Sequence, residues 1–183
     1  MTSLEHQFLI AMPALAEDYF GRSLMYICQH NNEGAMALLV NRPAQISANE
    51  LLSSLVISTK NVPLEIPVMI GGPVSPQNVF ILHTDDRVIK ASVAIGKGLA
   101  LTSSLEMLKL IGAGDGPKSF MITLGYSGWG REQLERELKQ NIWLTCPAKK
   151  EIIFDIPLNQ RLDCAANTLG INFNLIAPDA GHG

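Results

Sequence analysis

The sequence predicts a single α+β domain with a mixed, largely antiparallel β-sheet core and about four flanking helices. Short apolar segments bounded by Gly, Pro or Asn are typical of strands buried in a sheet. Capped amphipathic segments lie between them, without the strict alternation of strand and helix that indicates a parallel sheet. The 183 residues are 47% hydrophobic and 17% charged, which suffices for one large core, so we treat residues 1–183 as one domain.

Eight segments have the apolar character and the flanking turn residues of strands. They are residues 8–12, 23–29, 35–40, 68–70, 79–82, 99–102, 119–124 and 151–156. Asn31-Asn32-Glu33-Gly34 is a short turn-forming segment between two of them. Residues 23–40 are therefore predicted to form an antiparallel hairpin.

Four segments are predicted helices. Two begin at capping-box patterns, Ser47-Ala48-Asn49-Glu50 and Ser103-Ser104-Leu105-Glu106. Residues 131–140 place opposite charges four residues apart, which supports a helix. A fourth helix is predicted over residues 158–169, ending at Gly170.

Composition excludes several classes of protein. The net charge is −3 and Lys149-Lys150 is the only basic pair, so we expect no specific binding of duplex DNA. Three cysteines without a CxxC pattern fit neither a disulfide framework nor a zinc site, and they favour a reducing cytoplasm. No apolar stretch approaches the roughly 18–20 residues that span a bilayer, so no membrane contact is expected. The sequence indicates no metal and no cofactor, and it leaves the oligomeric state open.

A glycine-rich segment, Gly125-Tyr126-Ser127-Gly128-Trp129-Gly130, lies between a predicted strand and a predicted helix. Backbone N–H groups of such a turn, at a helix N-terminus, can hold a phosphate or carboxylate. Alternatively, the glycines only supply positive φ angles and the tryptophan fills the core. The spacing matches neither a nucleophile elbow, nor a dinucleotide fingerprint, nor a P-loop.

Two further turns are candidates for the same ligand site. Gly71-Gly72-Pro73 follows a predicted strand and can bring backbone close to a ligand. Asn41-Arg42-Pro43 supplies an amide and a guanidinium suited to phosphate. Both also fit ordinary structural turns, with Arg42 in a surface ion pair.

Cys28 and His30 are the only weak candidates for catalysis. Residues two apart in a strand point the same way, so a thiol and an imidazole could act as nucleophile and base. The alternative is a buried cysteine that packs as a small apolar residue, with His30 in solvent. No third residue at a defined spacing completes a triad or a metal site.

Four blocks, in this order and spacing, resemble the AlgH/YqgE family of bacterial proteins over nearly the whole chain. They are Phe8-Leu9-Ile10-Ala11-Met12-Pro13, residues 18–43 with Phe20, Tyr26-Ile27-Cys28, Gly34-Ala35-Met36 and Asn41-Arg42-Pro43, then Gly71-Gly72-Pro73-Val74, and Gly125 to Gly130 with Gln133-Leu134-Glu135. The resemblance implies a compact α+β fold, a cytoplasmic bacterial protein and no established activity. The family has been labelled a transcriptional regulator, and the resemblance implies this label for the present chain as well.

The leading hypothesis is therefore a binding protein for a small anionic ligand such as a nucleotide. We expect its site to contain Asn41, Arg42, Gly71, Gly72, Pro73, Gly125, Tyr126, Ser127, Gly128, Trp129 and Gly130. A hydrolase or thiol enzyme using Cys28 and His30 is the second hypothesis, and a transcriptional regulator is the third.

Overall fold

Ten strands form one strongly curled sheet in a computed structural model that describes residues 3–12, 18–59 and 65–171. Eight of them follow the order β10-β1-β2-β3-β9-β6-β8-β7, while β4 pairs with β5 and β5 pairs with β9. The strands are β1 Gln7–Ala11, β2 Leu24–Asn31, β3 Gly34–Leu39, β4 Pro43–Ser47, β5 Pro67–Ile70, β6 Val74–Thr84, β7 Ser92–Gly96, β8 Leu99–Thr102, β9 Phe120–Gly130 and β10 Trp143–Pro147.

Five α-helices cover this sheet in the described part of the chain. They are α1 Ala48–Ser54, α2 Leu105–Ala113, α3 Gln133–Lys139, α4 Lys150–Phe154 and α5 Arg161–Asn167, with a 3-10 turn at Leu158–Gln160. None of them is long and apolar enough to cross a membrane. The predicted α+β class, with a mixed and largely antiparallel sheet, is confirmed, since only β5 and β9 pair in parallel.

Strand β9 is the axis of the sheet because it pairs with three other strands. Its first half pairs with β6 and β5, and its second half pairs with β3 from Ser127 to Gly130. The predicted turn at residues 125–130 is therefore wrong: these residues continue the strand. Glycine has a low β propensity and usually weakens a strand, but here pairing with the neighbouring strand holds these residues in β9.

The helix starts follow local capping chemistry. Ser47 and Glu50 form the predicted capping box, with Glu50 N–H donating to Ser47 Oγ at 3.2 Å and Ser47 N–H to the Glu50 carboxylate at 2.7 Å. In the second pattern the cap is Ser104, which accepts from Glu106 N–H, while Ser103 donates to Val79 O.

The curl encloses the largest core cluster, which contains Phe8, Tyr26, Leu38 and Ile95 and is closed by α4 and α5. A second cluster packs α1 and α2 against the outer face. A third holds α3 against β1, β2 and β3.

The predicted strand at residues 151–156 is wrong, because this segment forms α4. Ile152 and Ile153 are adjacent and both buried in the same cluster, as on one helix face, whereas neighbouring side chains of a strand point to opposite faces. The strand lies earlier, at β10. Like β4, β10 was missed because its single pairing is with a strand that is distant in sequence. Strand β7, which pairs with the adjacent β8, was also missed.

Candidate functional site

Two of the predicted site segments come together in what we call the glycine crossing, where Gly71 and Gly72 pass over Gly125 and Tyr126. Gly71 N–H donates to Leu124 O at 2.8 Å. A Cβ added to Gly72 would overlap the Tyr126 carbonyl well inside 3.0 Å, and one on Gly125, at φ +70°, would lie 2.5 Å from Gly72 O. Close backbone packing therefore requires these glycines.

The remaining residues of these two segments line or support the crossing. Pro73 is exposed beside it, and Ser127 is buried with its hydroxyl donating to Gly71 O at 3.4 Å. Tyr126 is half-buried, with its ring edge-on to Phe80 at 5.6 Å.

Gly128 lies on the floor of a shallow groove of about 410 Å³. We call it the Gly128 groove; it is lined by Gln29, Asn31, Glu33, Gly34, Ala35, Met36, Val74, Tyr126, Gly128 and Trp129. No lysine or arginine is among these residues, and the single charged side chain is an acid. The described lining of the groove therefore offers no side-chain cation to pair with an anionic ligand.

Trp129 turns its ring away from this groove and into the core under α3. The side chain is only 7% exposed, and its indole N–H donates to Glu137 at 2.8 Å. Trp143 donates to the same carboxylate oxygen at 2.7 Å, with the two rings edge-on at 6.0 Å. Trp129 is therefore packed and hydrogen-bonded within the fold, and its ring is not placed to stack on a ligand.

Helix α3 does not present its N-terminus at the glycines. It begins at Gln133, after Glu132 in a left-handed conformation. The N–H of Gly130 donates to Gln133 Oε1 at 3.0 Å. Gln133 and Glu137 thus hold the end of β9 to the helix.

Asn41 and Arg42 use their side chains to hold the segment before β2, while the Arg42 carbonyl accepts from Ile70 N–H, next to the glycine crossing, at 2.9 Å. Asn41 accepts from Leu24 N–H and donates to Arg22 O, both at 2.9 Å. Arg42 donates to Tyr19 O, Gly21 O and Ser23 Oγ, and its guanidinium lies 5.1 Å from the Tyr19 ring centre. These contacts occupy the amide and the guanidinium with the chain's own backbone.

The structure does not bring Cys28 and His30 together. A β-bulge between Ile27 and Gln29 changes the side-chain alternation, so the expectation of a shared face is wrong. Cys28 lies inside the curl, where burial raises the pKa of its thiol. His30 accepts from Leu4 N–H at 3.1 Å and lies 2.9 Å from Glu135 on α3. Nor do three His, Cys, Asp or Glu side chains converge as metal ligands in the described ranges.

Three lysines converge on a different cleft of about 210 Å³, which we call the lysine cleft. It is lined by His6, Tyr26, Lys97, Leu99, Ala148, Lys149, Lys150 and Glu151. The cleft forms where the two ends of the curled sheet meet: Lys97 lies between β7 and β8, and Ala148 follows β10. Ala148 N–H donates to His6 O at 2.9 Å, which fixes the segment with Lys149 and Lys150.

Lys97 is presented at the tip of a tight turn. Its φ is +52°, between Gly96 at +82° and Gly98 at +77°. A Cβ on Gly96 would lie 2.7 Å from His6 Nε2, so the turn packs directly on the imidazole. This contact joins the β7–β8 hairpin to the start of β1.

Tyr26 and His6 form a polar base for the cleft. The Tyr26 hydroxyl lies 2.9 Å from His6 Nδ1. Burial raises the pKa of the phenol, with smaller contributions from Cys28 and Glu5, so it stays protonated at neutral pH. The arrangement combines exposed cations with the hydrogen-bonded contact between buried Tyr26 and half-buried His6, which suits binding of an anion.

Comparison with known proteins identifies the family. Residues 8–174 match the family described as AlgH-like. A UPF0301 protein of Pseudomonas entomophila (strain L48) is 46% identical over 181 residues, covering 98% of this chain and 95% of the relative. A UPF0301 protein of Xanthomonas campestris pv. campestris (strain B100) is 43% identical over 182 residues, covering 99% and 97%. The chain belongs to the AlgH-like family.

Solved structures agree with this assignment. The solution structure of the AlgH protein from Pseudomonas aeruginosa has a TM-score of 0.79 at 40% identity, covering 100% of this chain and 99% of that one. A crystal structure of a Corynebacterium diphtheriae protein has a TM-score of 0.66 at 19% identity, covering 82% and 79%, and shows a shared fold alone. The names of these proteins state no activity and no ligand, and the function of the AlgH-like chain is not established by them.

Sequence reasoning missed the lysine cleft of this AlgH-like protein. Lys149-Lys150 and Gly96-Lys97-Gly98 are visible in the sequence, but 50 residues separate the two segments. His6 carries no local signal. Their proximity follows from the meeting of the two sheet ends, which no sequence spacing encodes.

Proposed function

We propose that this AlgH-like protein is a cytoplasmic binding protein for a small anionic ligand, held in the lysine cleft. The observation that carries the proposal is the convergence of three lysines on one cleft that has the hydrogen-bonded His6–Tyr26 pair at its base. Three free cysteine thiols fit a reducing compartment. Anion binding keeps the ligand class expected from the sequence and moves its site.

Electrostatics favours an anion here over the other groove. Three lysines against Glu151 leave a local excess of positive charge in a chain whose net charge is −3. The Gly128 groove contains Glu33 and no basic residue among its lining. Exposed ammonium groups attract anions most strongly at low ionic strength, so binding should weaken as salt is added.

The size of the cleft limits the part of the ligand that it can hold. A volume of about 210 Å³ is below the roughly 300–1,000 Å³ typical of drug-sized ligands. A phosphate group fits this space better than a whole nucleotide. We therefore expect the phosphate of a nucleotide to bind between the lysines while its base stays outside the cleft.

Duplex DNA is a poorer candidate for the same site. Strong DNA binding uses about 6–10 phosphate contacts, whereas the cleft offers three lysines and is concave. The expectation of no specific duplex binding stays a prediction.

Titration calorimetry with AMP and with inorganic phosphate tests the proposal. We expect saturable, salt-sensitive binding of both. Lys97→Gln and Lys149→Gln should each weaken the affinity about two- to fivefold, the range for exposed charge pairs. Lys109→Gln, on the exposed face of α2, is the matched control and should change nothing.

Nuclear magnetic resonance locates the binding. Amide shifts on AMP addition should concentrate at Lys97, Ala148 and Lys149. Absence of saturable binding at low salt, or equal effects of Lys97→Gln and Lys109→Gln, would reject the lysine cleft as the site.

A further inference from the structure

A separate cavity of about 220 Å³ lies under α4 and the 3-10 turn, and shares no lining residue with the lysine cleft. Ten of its lining residues are apolar, among them Met69, Met121, Ile153, Phe154 and Leu158. The remaining one is Arg161. An arginine is rarely buried, and one in an apolar wall needs a partner.

Arg161 is only 9% exposed, and part of its guanidinium is already engaged. Nε donates to Ile156 O at 2.9 Å and Nη1 to Val40 O at 2.6 Å, while Met121 Sδ lies 3.8 Å from Nη1. Guanidinium carries five N–H donors. Within the described residues, the two on Nη2 have no hydrogen-bond partner and no carboxylate pairs with the group.

The contacts to Ile156 and Val40 explain why an arginine joins α5 to the end of β3, but they are made to neutral carbonyls. They leave the positive charge uncompensated among the described residues, and burial lowers the pKa of Arg161 to about 10. An anion at Nη2 would pair with this charge. The apolar lining at the same time favours a ligand with a hydrocarbon part.

We propose that this cavity binds a short monocarboxylate with an apolar chain, its carboxylate accepting hydrogen bonds from Nη2 of Arg161 and its chain lying against Met69, Met121 and Ile153. The volume of about 220 Å³ limits the chain to a short one, since it is below the roughly 300 Å³ of the smallest drug-sized pockets. A carboxylate is preferred over a phosphate because Arg161 is the one charged residue among the described lining residues. A doubly charged phosphate would lack a second cation to pair with.

Hexanoate is the probe, and 1-hexanol is the neutral probe of the same chain length. The chain has seven methionines, so methyl resonances of ¹³C-methyl-methionine protein report directly on Met69 and Met121. We expect hexanoate to shift both resonances saturably and to bind at least about tenfold more tightly than 1-hexanol, because hydrogen bonds to a charged group are the stronger kind.

Two variants and one matched control test where and how hexanoate binds. Leu158→Trp places a larger apolar side chain in the cavity while keeping Arg161, and should abolish hexanoate binding. Leu105→Trp, at an exposed position of α2, is its matched control and should bind as the parent does. Arg161→Lys should weaken hexanoate at least about threefold while leaving AMP binding unchanged, which separates this cavity from the lysine cleft.

Measurements on the wild-type protein test hexanoate binding in this cavity even where a variant does not fold. No saturable shift at Met69 and Met121, or equal affinity for hexanoate and 1-hexanol, would overturn the proposal. Retained hexanoate binding in a folded Leu158→Trp protein would overturn it as well.

Discussion

The glycine crossing and the lysine cleft differ in what their residues contribute. In the crossing, Gly71, Gly72 and Gly125 let two backbones approach within hydrogen-bonding distance, and a side chain at these positions would collide with main-chain atoms. In the cleft, lysines from two separate parts of the chain provide positive charge around a small cavity, and His6 and Tyr26 come from two further parts. A glycine-rich pattern can thus mark a packing requirement, whereas charge chemistry can be assembled from residues with no common pattern.

The largest expected effect is on the crossing. Gly72→Ala places a methyl group on the Tyr126 carbonyl, which is rigid backbone and cannot move aside. We expect the free energy of unfolding to fall by about 3 kcal/mol or more, among the larger effects of a single substitution. Urea denaturation followed by circular dichroism measures this loss through the midpoint at constant slope.

Lys97→Gln is the counterpart in the cleft, and its stability should stay within about 0.5 kcal/mol of the parent because it is exposed. A Gly72→Ala protein as stable as the parent would contradict the packing account of the crossing.

Much of the fold was predictable from local patterns. Strand β8 was predicted with its observed bounds, and the capping box at Ser47 placed α1 correctly. These elements are encoded by apolar residues and turn or capping residues close in sequence. The hairpin of β2 and β3 was predicted for the same reason.

The errors occurred where distant contacts override local signals. Gly125 to Gly130 resemble a turn, yet pairing with β3 keeps them in a strand. The bulge in β2 depends on how that strand pairs, so the separation of Cys28 from His30 was not readable from their spacing. The cleft needed the closure of the whole sheet, which brings His6 to Gly96.

A smaller effect is expected at Cys28, near the base of the lysine cleft. This substitution tests whether the thiol is reactive or only packs in the core. Cys28 follows Tyr26 in β2 and is 3% exposed inside the same core cluster. Cys28→Ser exchanges a buried thiol for a hydroxyl with a greater need for a partner, so we expect a loss of about 1–3 kcal/mol in stability and unchanged AMP affinity.

Thiol labelling with site assignment by mass spectrometry gives an independent measure for Cys28. Burial raises the pKa of its thiol, so at neutral pH it should react only after unfolding. The partly exposed Cys164 serves as the internal control. Rapid labelling of native Cys28 would revive the thiol-enzyme hypothesis.

The smallest expected effect is at Gly128, three residues along β9 from the crossing. The three atoms nearest to a Cβ there all belong to side chains: Tyr126 Cε2 at 3.2 Å, Tyr126 Cδ2 at 3.8 Å and Val74 Cγ2 at 3.9 Å. The Tyr126 ring is half-buried and can shift slightly. The strain of that contact opposes the lower chain entropy of alanine in the unfolded state, so we expect Gly128→Ala to change stability by no more than about 0.5 kcal/mol. AMP affinity should also stay the same, since no lysine or arginine lines the groove that the methyl group enters.

A loss of stability as large as that of Gly72→Ala would mean that backbone packing governs the whole glycine segment. A folded Gly128→Ala protein with weakened AMP binding would instead indicate that the ligand binds at the glycine segment, as expected from the sequence. The lysine cleft would then be rejected as its site.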